Sequence, residues 1–422
     1  MLFYAALRSA VPTLKMRRMN QHYDVIIAGG GMVGASLAIA LAQHGLSVAV
    51  ADREPLAAQL APAFDGRVSA VALSSKRLMA RLGVWQHLQA QAEPILDIRV
   101  SDGDSPFFLD YHHREVGEGP FGWIVENRFI RQALAAAAAE YDNIDVIAPA
   151  EITALHVGDH AAEVTLSGGG VLRANLVIGA DGKRSRMRAL AGIGATTADY
   201  AQTAIVCTIA HALPHHGLAQ ERFLPAGPFA VLPMKDNHSS LVWTERTEHA
   251  PLFLALPEEE FVQEIVERVG GYLGDIRTHG PRFLYPLGVL HAKRYAGPRI
   301  ALIGDAAHSI HPIAGQGVNL GWRDVAVLSE LIGRQAGLGL DVGDLSMLRH
   351  YERWRRADNL AMLAVTDGLN RLFSNAVLPL KLARGLGLWA VAHLPPLKRF
   401  FMRDAMGLTG DLPALMAEEK AA

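Results

Sequence analysis

The chain has 422 residues, half of them hydrophobic and 19% charged, a balance that supports a large buried core over two or three domains and excludes a disordered polymer. Its formal net charge of −2 provides no global field to recruit nucleic acid, and no stretch offers the roughly 18 uninterrupted apolar residues of a membrane span. The single cysteine, Cys207, lies in a β-branched run; it rules out an internal disulfide and fits a buried strand thiol in a reducing compartment.

Residues 1–20 carry Arg8, Lys15, Arg17 and Arg18 with no acid. Arg8 breaks the apolar part and no clean cleavage pattern follows, so a disordered or over-extended N-terminus is expected there, with Met16 or Met19 as alternative starts. A strand is expected at 23–28, followed by Gly29-Gly30-Gly31-Met32-Val33-Gly34, a helix over 35–44 stopped by Gly45, and a second strand at 47–51 ending in Asp52 and Arg53. Strand, Gly-x-Gly-x-x-Gly, helix, strand and acid in this order form the dinucleotide fingerprint. Gly29 makes the tight turn, Gly31 lets the chain approach a pyrophosphate, and Gly34 packs helix on strand. Asp52, 18 positions after Gly34 (52 − 34), is placed to accept ribose hydroxyls. The motif does not separate NAD from FAD, and a purely structural glycine turn is the alternative.

Arg67 lies in a small-residue loop before a helix expected at 75–82, where it either reaches a pyrophosphate or flavin ring or is an ordinary exposed arginine. Strands are expected at 98–100 and 107–111. A further strand runs into Asn127 and Arg128, which precede an alanine-rich helix over 129–141. Strands at 145–147 and 162–166 and a glycine hairpin turn at 168–170 lead to a buried strand that stops at Asp181-Gly182, followed by a basic turn through Arg188. That turn either caps a helix with a solvated basic face or contacts a phosphate or nicotinamide.

Between 200 and 286 the pattern changes to short β-type runs at 204–210, 221–224, 229–233 and 239–244, with a helix at 258–269. These read as an antiparallel sheet inserted into the dinucleotide unit, supplying substrate walls. The unit resumes at 299 with a buried strand, the run Gly304-Asp305 through Gly321, and a helix over 322–332. Gly315 and Gly317 would let backbone approach a flat ligand, and the free N–H groups of the helix start favour negative charge; the plain alternative is an ordinary strand-to-helix turn. The last third is helical. Residues 369–403 hold Arg371, Lys381, Arg384, Lys398, Arg399 and Arg403 with no acid, which suits either an anionic membrane surface or core packing with solvated cations.

Three separated elements, Gly29 to Gly34 with Asp52, Asp181-Gly182-x-x-Ser185-x-x-Arg188, and Gly304-Asp305, together resemble the FAD-dependent aromatic hydroxylases of the para-hydroxybenzoate hydroxylase type. Within that group, His311-Pro312-x-Ala314-Gly315-Gln316-Gly317-x-Asn319-Leu320-Gly321-x-Arg323-Asp324, the segment 367–374 and the tail 405–413 look like the ubiquinone-biosynthesis hydroxylases. The resemblance covers about 23–415. It implies an α/β fold: a Rossmann-like FAD-binding domain with a central parallel sheet (21–95, 117–195 and 296–345), an inserted antiparallel-sheet substrate domain (96–116 and 196–295), and a helical C-terminal region (346–422). Gly29, Gly31 and Gly34 would hold the FAD pyrophosphate, and Asp52 the adenosine ribose with Arg53 beside it. Arg67 and Asn127 or Arg128 would flank the flavin, and Asp181 belongs to a motif tied to both FAD and nicotinamide. Gly304 and Asp305 would face the ribityl chain or pyrophosphate, and Pro312, Gly315, Gln316, Gly317, Val318 and Asn319 the isoalloxazine. Asp in place of the commoner Glu at 52 is a mild departure, since the shorter arm still accepts two hydrogen bonds. Asp305, His308 and His311 have a flavin explanation, and no metal is expected.

The implied activity is hydroxylation of the aromatic ring of a polyprenylated phenol in ubiquinone biosynthesis, using FAD, NAD(P)H as electron donor and O2 as co-substrate. The phenol activates its own ring, so no catalytic residue is assigned; His311 and Gln316 are candidates for tuning the flavin edge. A flavin-dependent prenyl-chain reductase and a non-catalytic flavin-bearing subunit of a ubiquinone-biosynthesis protein complex are the alternatives. The expected location is the cytoplasm, with peripheral contact on the inner membrane.

Overall fold

The computed structural model describes residues 22–61, 64–103, 108–117, 119–311, 315, 317–373, 387 and 390–418. The expectations for residues 1–20, for Pro312 and Gln316, and for Lys381 and Arg384 lie outside the described residues. Strand β1 (His22–Ala28) leads through the glycine loop to helix α1 (Met32–Gln43) and strand β2 (Val48–Ala51). β3 (Val68–Ala72) runs directly into α2 (Leu73–Arg81), and β4 (Glu93–Ile95), β5 (Asp97–Asp102), β6 (Phe108–His112) and β7 (Gly122–Glu126) precede α3 (Asn127–Ala138). Next come β8 (Ile144–Ile147), β9 (Ile152–Val157), β10 (Ala162–Leu166), β11 (Val171–Gly179) and the short α4 (Arg186–Leu190). The remaining strands are β12 (Ala195–His211), β13 (Leu218–Leu224), β14 (Gly227–Met234), β15 (His238–Arg246), β16 (Ile276–Ala292), β17 (Ala296–Gly297), β18 (Ile300–Leu302) and β19 (His308–Ser309). Helix α5 (Glu258–Val269) lies between β15 and β16, and α6 (Gly317–Gly337), α7 (Leu345–Phe373) and α8 (Pro395–Ala405) follow β19.

The central sheet has the order β17-β18-β11-β1-β2-β8, and every pairing from β18 to β8 is parallel. Its strands are apolar on both faces, as a sheet covered on both sides requires. α1 is nearly apolar all round because it is sandwiched between this sheet and α6; a helix buried on every side has no polar stripe. The long hairpin β9-β10 continues this sheet through β11.

A second sheet, β19-β16-β12-β15-β14-β13-β5-β6, forms the inserted unit. β12 and β16 are each 17 residues long and pair along their whole length. Only residues 204–210 of this pair are legible as a strand in the sequence. The first half of β12 is small and solvent-facing, and Gly280, Pro281 and Gly288 interrupt β16, so neither shows the alternation that marks a half-buried strand. Backbone pairing between the two supplies the hydrogen bonds whatever their side chains. β19, from the segment that follows the central-sheet strand β18, adds to the edge of this second sheet through Leu290↔Ser309 and His291↔His308. A third, small sheet, β3-β7-β4, packs against β14 of the second sheet and against α6.

Candidate functional site

Three glycines in the first loop serve three different needs. Gly29 has φ +103°, and a Cβ there would collide with the Ala180 carbonyl. A Cβ on Gly34 would strike the carbonyl oxygen of Gly29. At Gly31, by contrast, a Cβ would meet no atom within 4 Å. Gly31 is the N-cap of α1, in extended backbone (φ −65°, ψ −177°), with no side-chain cap and no acid in the first turn. The helix start is therefore uncapped beside open space, where its unpaired N–H groups favour an anion. Asp52 bridges the loop from the other side: Oδ2 accepts from Gly30 N–H at 2.6 Å and Oδ1 from Glu54 N–H at 2.8 Å. Arg53 is exposed at the end of β2.

The second motif meets this loop through Val33. The side chain of Val33 fills the space where a Cβ of Gly304 would sit at 3.4 Å and one of Gly321 at 2.7 Å, so the Gly304 turn, the start of α1 and α6 pack against one another. Asp181 is occupied within its own turn, accepting from Ser185 Oγ at 2.5 Å and Met187 N–H at 2.9 Å, while Ser185 Oγ accepts from Arg188 N–H. This arrangement caps α4. Arg188 is the residue that reaches across, donating Nη1 to the Ala306 carbonyl at 2.8 Å.

Asp305 is exposed between the buried Gly304 and Ala306. Surrounding protein pushes its carboxyl above the ordinary value, with His308 and Lys183 pulling the other way. Behind it is a buried polar network. Asp324, fully buried, accepts from Gly304 N–H at 2.9 Å, from Arg355 Nε at 2.7 Å, and lies 2.5 Å from His308 Nε2. Burial alone would raise the Asp324 carboxyl, but His308 and Arg355 hold it below the usual carboxylate range. Arg355, also fully buried, continues to Asp358 at 2.7 Å and to Asn359 at 2.8 Å. Removing one partner of such a pair typically costs about 3–5 kcal/mol, so the Gly304 turn is rigidly backed.

The loop before α6 is fastened to β3. Asn319 Nδ2 donates to Ala70 O at 2.8 Å and Gly315 O at 3.3 Å, and its Oδ1 accepts from Ala72 N–H at 3.0 Å. A Cβ on Gly315 would press on Ala70 at 2.9 Å, whereas one on Gly317 would meet nothing within 4 Å. Val318, in the first turn of α6, packs on the main core. Asn127 is buried at the β3–β7 edge and accepts from Ser69 Oγ at 2.7 Å. Arg67 pairs with Asp65 at 2.8 Å, and its side chain is 49% exposed. Arg128 pairs with Glu126 at 2.7 Å and lies over the rings of Phe64 and Phe129. Strand β3 and its partners thus bring Arg67, Asn127 and Arg128 to one edge near the Gly315 turn, while Gly29 to Gly34 and Asp52 gather at the tip of the central sheet.

The second sheet has two distinct faces. One carries Ile205, Cys207, Ile209 and Trp243 into a closed core with α5. The other presents Val206, Val242, Phe283 and Tyr285 toward the loop before β3: Phe283 occupies the space beside Gly66, and Tyr285 Oη donates to Asp65 O at 3.4 Å. On this inner face the hydroxyls of Thr208, Ser240 and Thr244 are buried and have no hydrogen-bond partner among the described residues. The end of α7 lies across it. Asp367 accepts from Tyr200 Oη at 3.0 Å, Asn370 donates to Gln202 Oε1 at 3.1 Å, and Phe373 stacks on Phe223 with centroids 4.2 Å apart. The spacing i, i+3, i+6 puts these three on one helix face. Asp324, Arg355 and this α7 face carry no assignment in the sequence reading. The available signals were the place of Asp324 at the end of the motif that begins at His311 and the helical spacing of Asp367, Asn370 and Phe373 within an already recognised segment.

A family profile described as an FAD binding domain matches residues 22–361. The chain is 53% identical to the ubiquinone hydroxylase UbiL of Rhodospirillum rubrum, over 91% of this chain and 89% of that one. It is 36% identical to the 3-demethoxyubiquinol 3-hydroxylase of Escherichia coli, covering 92% and 100% respectively. In fold it resembles the p-nitrophenol 4-monooxygenase PnpA of Pseudomonas putida, with a TM-score of 0.77 over 93% of this chain and 99% of that one, at 18% identity.

Proposed function

Since the chain belongs to the FAD-binding family that residues 22–361 match, we propose that it is an FAD-dependent hydroxylase of the aromatic ring of a polyprenylated phenol in ubiquinone biosynthesis. The observation that carries this is the uncapped start of α1, open at Gly31, which packs through Val33 against the turn that carries the exposed Asp305. These features suit FAD: N–H donors for a diphosphate at one end, acidic acceptors for sugar and ribityl hydroxyls at Asp52 and Asp305, and Gly317, where a Cβ would meet nothing within 4 Å, toward a flat ring. The ring specificity comes from similarity to hydroxylases of ubiquinone precursors.

When bound, FAD supplies the redox and O2 chemistry that side chains lack, with NAD(P)H as the electron source. The protein's part is placement. Gly31 and the first turn of α1 hold the diphosphate. Asp52, already anchored by two backbone donors, keeps lone pairs for the ribose. Asn319 fixes the loop that faces the isoalloxazine, with Arg67, Asn127 and Arg128 on its flank and Arg53 beside the adenosine. Asp181 acts by capping α4, which aims Arg188 at the Gly304 turn. The apolar inner face of the second sheet receives the ring and keeps water away from it.

The test is incubation of the reduced holoprotein with a prenylphenol under labelled O2. Label in a ring hydroxyl is expected; loss of a double bond without label establishes a prenyl reductase instead. If neither occurs but removal of the protein disperses a ubiquinone-biosynthesis complex, the role is scaffolding.

A peripheral membrane contact is favoured by α8. Its inner side buries Met402 and packs Phe401 in a core, while Leu394, Leu397 and Phe400 are exposed beside the exposed Arg399. Lys398 is held by Glu115 at 2.7 Å, so the basic character at the surface rests on Arg399 and its neighbours. Among the described residues no helix is long and apolar enough to cross a membrane. Flotation with anionic vesicles should be salt-sensitive and should weaken in Phe400→Ser; equal flotation with neutral vesicles or with the variant would refute the contact.

A further inference from the structure

We propose that Asp65 is the positioning residue for Arg67, its carboxylate setting the direction in which that guanidinium faces the cofactor. This rests on the FAD-dependent function proposed above, in which Arg67 flanks the flavin. Residues 65–67 lie immediately before β3. Asp65 Oδ1 accepts from Arg67 N–H at 3.1 Å, and Oδ2 accepts from Arg67 Nε at 3.2 Å and Nη2 at 2.8 Å. A second cation joins from α3, where Arg131 Nη2 donates to the same oxygen at 3.2 Å.

The backbone of this segment is held by other groups. Asn127 N–H donates to Arg67 O at 3.0 Å, Tyr285 Oη donates to Asp65 O at 3.4 Å, and Phe283 lies against Gly66, where a Cβ would strike its ring. The carboxylate is therefore not needed to place the chain; what it orders is the arginine side chain. A guanidinium carries five N–H donors in a rigid fork. Two go to Asp65, and the rest, on Nη1 and Nη2, belong to a side chain that is half-exposed. An unheld arginine has large rotamer freedom to lose on meeting a ligand, and the Asp65 clamp removes that freedom beforehand.

An arginine paired only with an acid would be neutral as a unit and offer little to an anionic ligand. Arg131 prevents this, because two guanidinium groups and one carboxylate leave a charge of +1 (2 − 1). Arg131 is itself fixed, donating Nε to Gln59 O at 2.9 Å. Burial alone would raise the Asp65 carboxyl, but Arg67 and Arg131 hold it below the usual carboxylate range, so the clamp stays ionised at neutral pH. Charge and placement then have opposite consequences. Removing a carboxylate beside an anionic dinucleotide tightens binding if charge alone matters; it weakens binding if the carboxylate serves to aim Arg67.

The test is titration of apoprotein with FAD, followed by flavin fluorescence, with the thermal midpoint of each apoprotein measured alongside. Asp65→Asn keeps an oxygen for the Arg67 N–H and replaces the acceptor of the guanidinium. It should weaken FAD binding by about tenfold, or 1.4 kcal/mol. Arg67→Met should weaken it at least as much, and adding Asp65→Asn to that variant should cost nothing further, because the side chain on which Asp65 acts is gone. Asp65→Glu should recover part of the affinity. Tighter or unchanged binding in Asp65→Asn overturns the proposal. So does an equal loss with and without Arg67, or an Asp65→Asn apoprotein with no thermal transition, since either makes Asp65 a purely structural residue. Unchanged binding in Arg67→Met overturns it while leaving the hydroxylase function standing; a wild-type apoprotein that takes up no FAD removes that function and the proposal with it.

Discussion

Replacing Gly31 by Asp should separate folding from cofactor binding. The position is extended backbone open to any residue, and a Cβ there touches nothing within 4 Å. Asp is among the best N-caps, better than Gly by a few tenths of a kcal/mol, and loss of glycine's freedom in the unfolded chain adds about 0.4–1 kcal/mol. The apoprotein should thus be unchanged or more stable by up to about 1 kcal/mol. The same carboxylate enters the diphosphate site. One unit charge about 4 Å from another, at the effective dielectric of a protein surface, costs about 4 kcal/mol, which is roughly a thousandfold in affinity. The assay is paired: the thermal midpoint of the apoprotein, and the ratio of flavin to protein absorbance after purification. Colourless protein with an undiminished apoprotein midpoint is expected. Full flavin absorbance would refute the assignment of Gly31 to the diphosphate; loss of both would show that the glycine is structural.

Gly34→Ala gives the contrasting result, because its Cβ collides with the Gly29 carbonyl; apoprotein stability should fall by about 1–3 kcal/mol, measured by urea unfolding, and flavin loss should follow. Stability should also decline in mild acid. Burial holds His291 and His311 near pKa 4, against about 6.5 in an unfolded chain. The unfolded state then takes up protons first, and stability falls as pH drops from 6.5 toward 4. Asp324, held below its ordinary 3.8, adds its loss only below about pH 4. A thermal midpoint that is flat from pH 7 to pH 4.5 would contradict the buried neutral state of these histidines.

The turns that make up the proposed cofactor site were legible as local structure because they are built from local rules. The loop from Gly29 to Gly34 announces itself through spacing, since each glycine answers a backbone constraint set within a few residues. The same holds for the capping of α4 by Asp181 and Ser185. Longer-range partners were not legible. Nothing in the vicinity of Asp324 indicates that Arg355, 31 positions away, will neutralise it, and the spacing of Gly304 and Val33 carries no sign that one packs on the other. The basic stretch from 369 to 403 reads as one feature, yet its described residues fall partly in α7 and partly in α8. The end of α7 is turned inward by Asp367, Asn370 and Phe373, and α8 has one buried and one exposed side.

The sequence by itself determined the parallel α/β unit, the dinucleotide turn and the existence of an inserted sheet, because periodicity, glycine placement and strand-ending acids are properties of neighbours along the chain. Tertiary structure alone decided that β12 and β16 are long partners, since their pairing comes from backbone hydrogen bonds that leave no mark on composition. It also decided which face of that sheet closes into a core with α5 and which receives the end of α7, and it buried His311 with no hydrogen-bond partner for its ring among the described residues. Burial of that kind is set by what packs around a residue, and no stretch of chain contains that information alone.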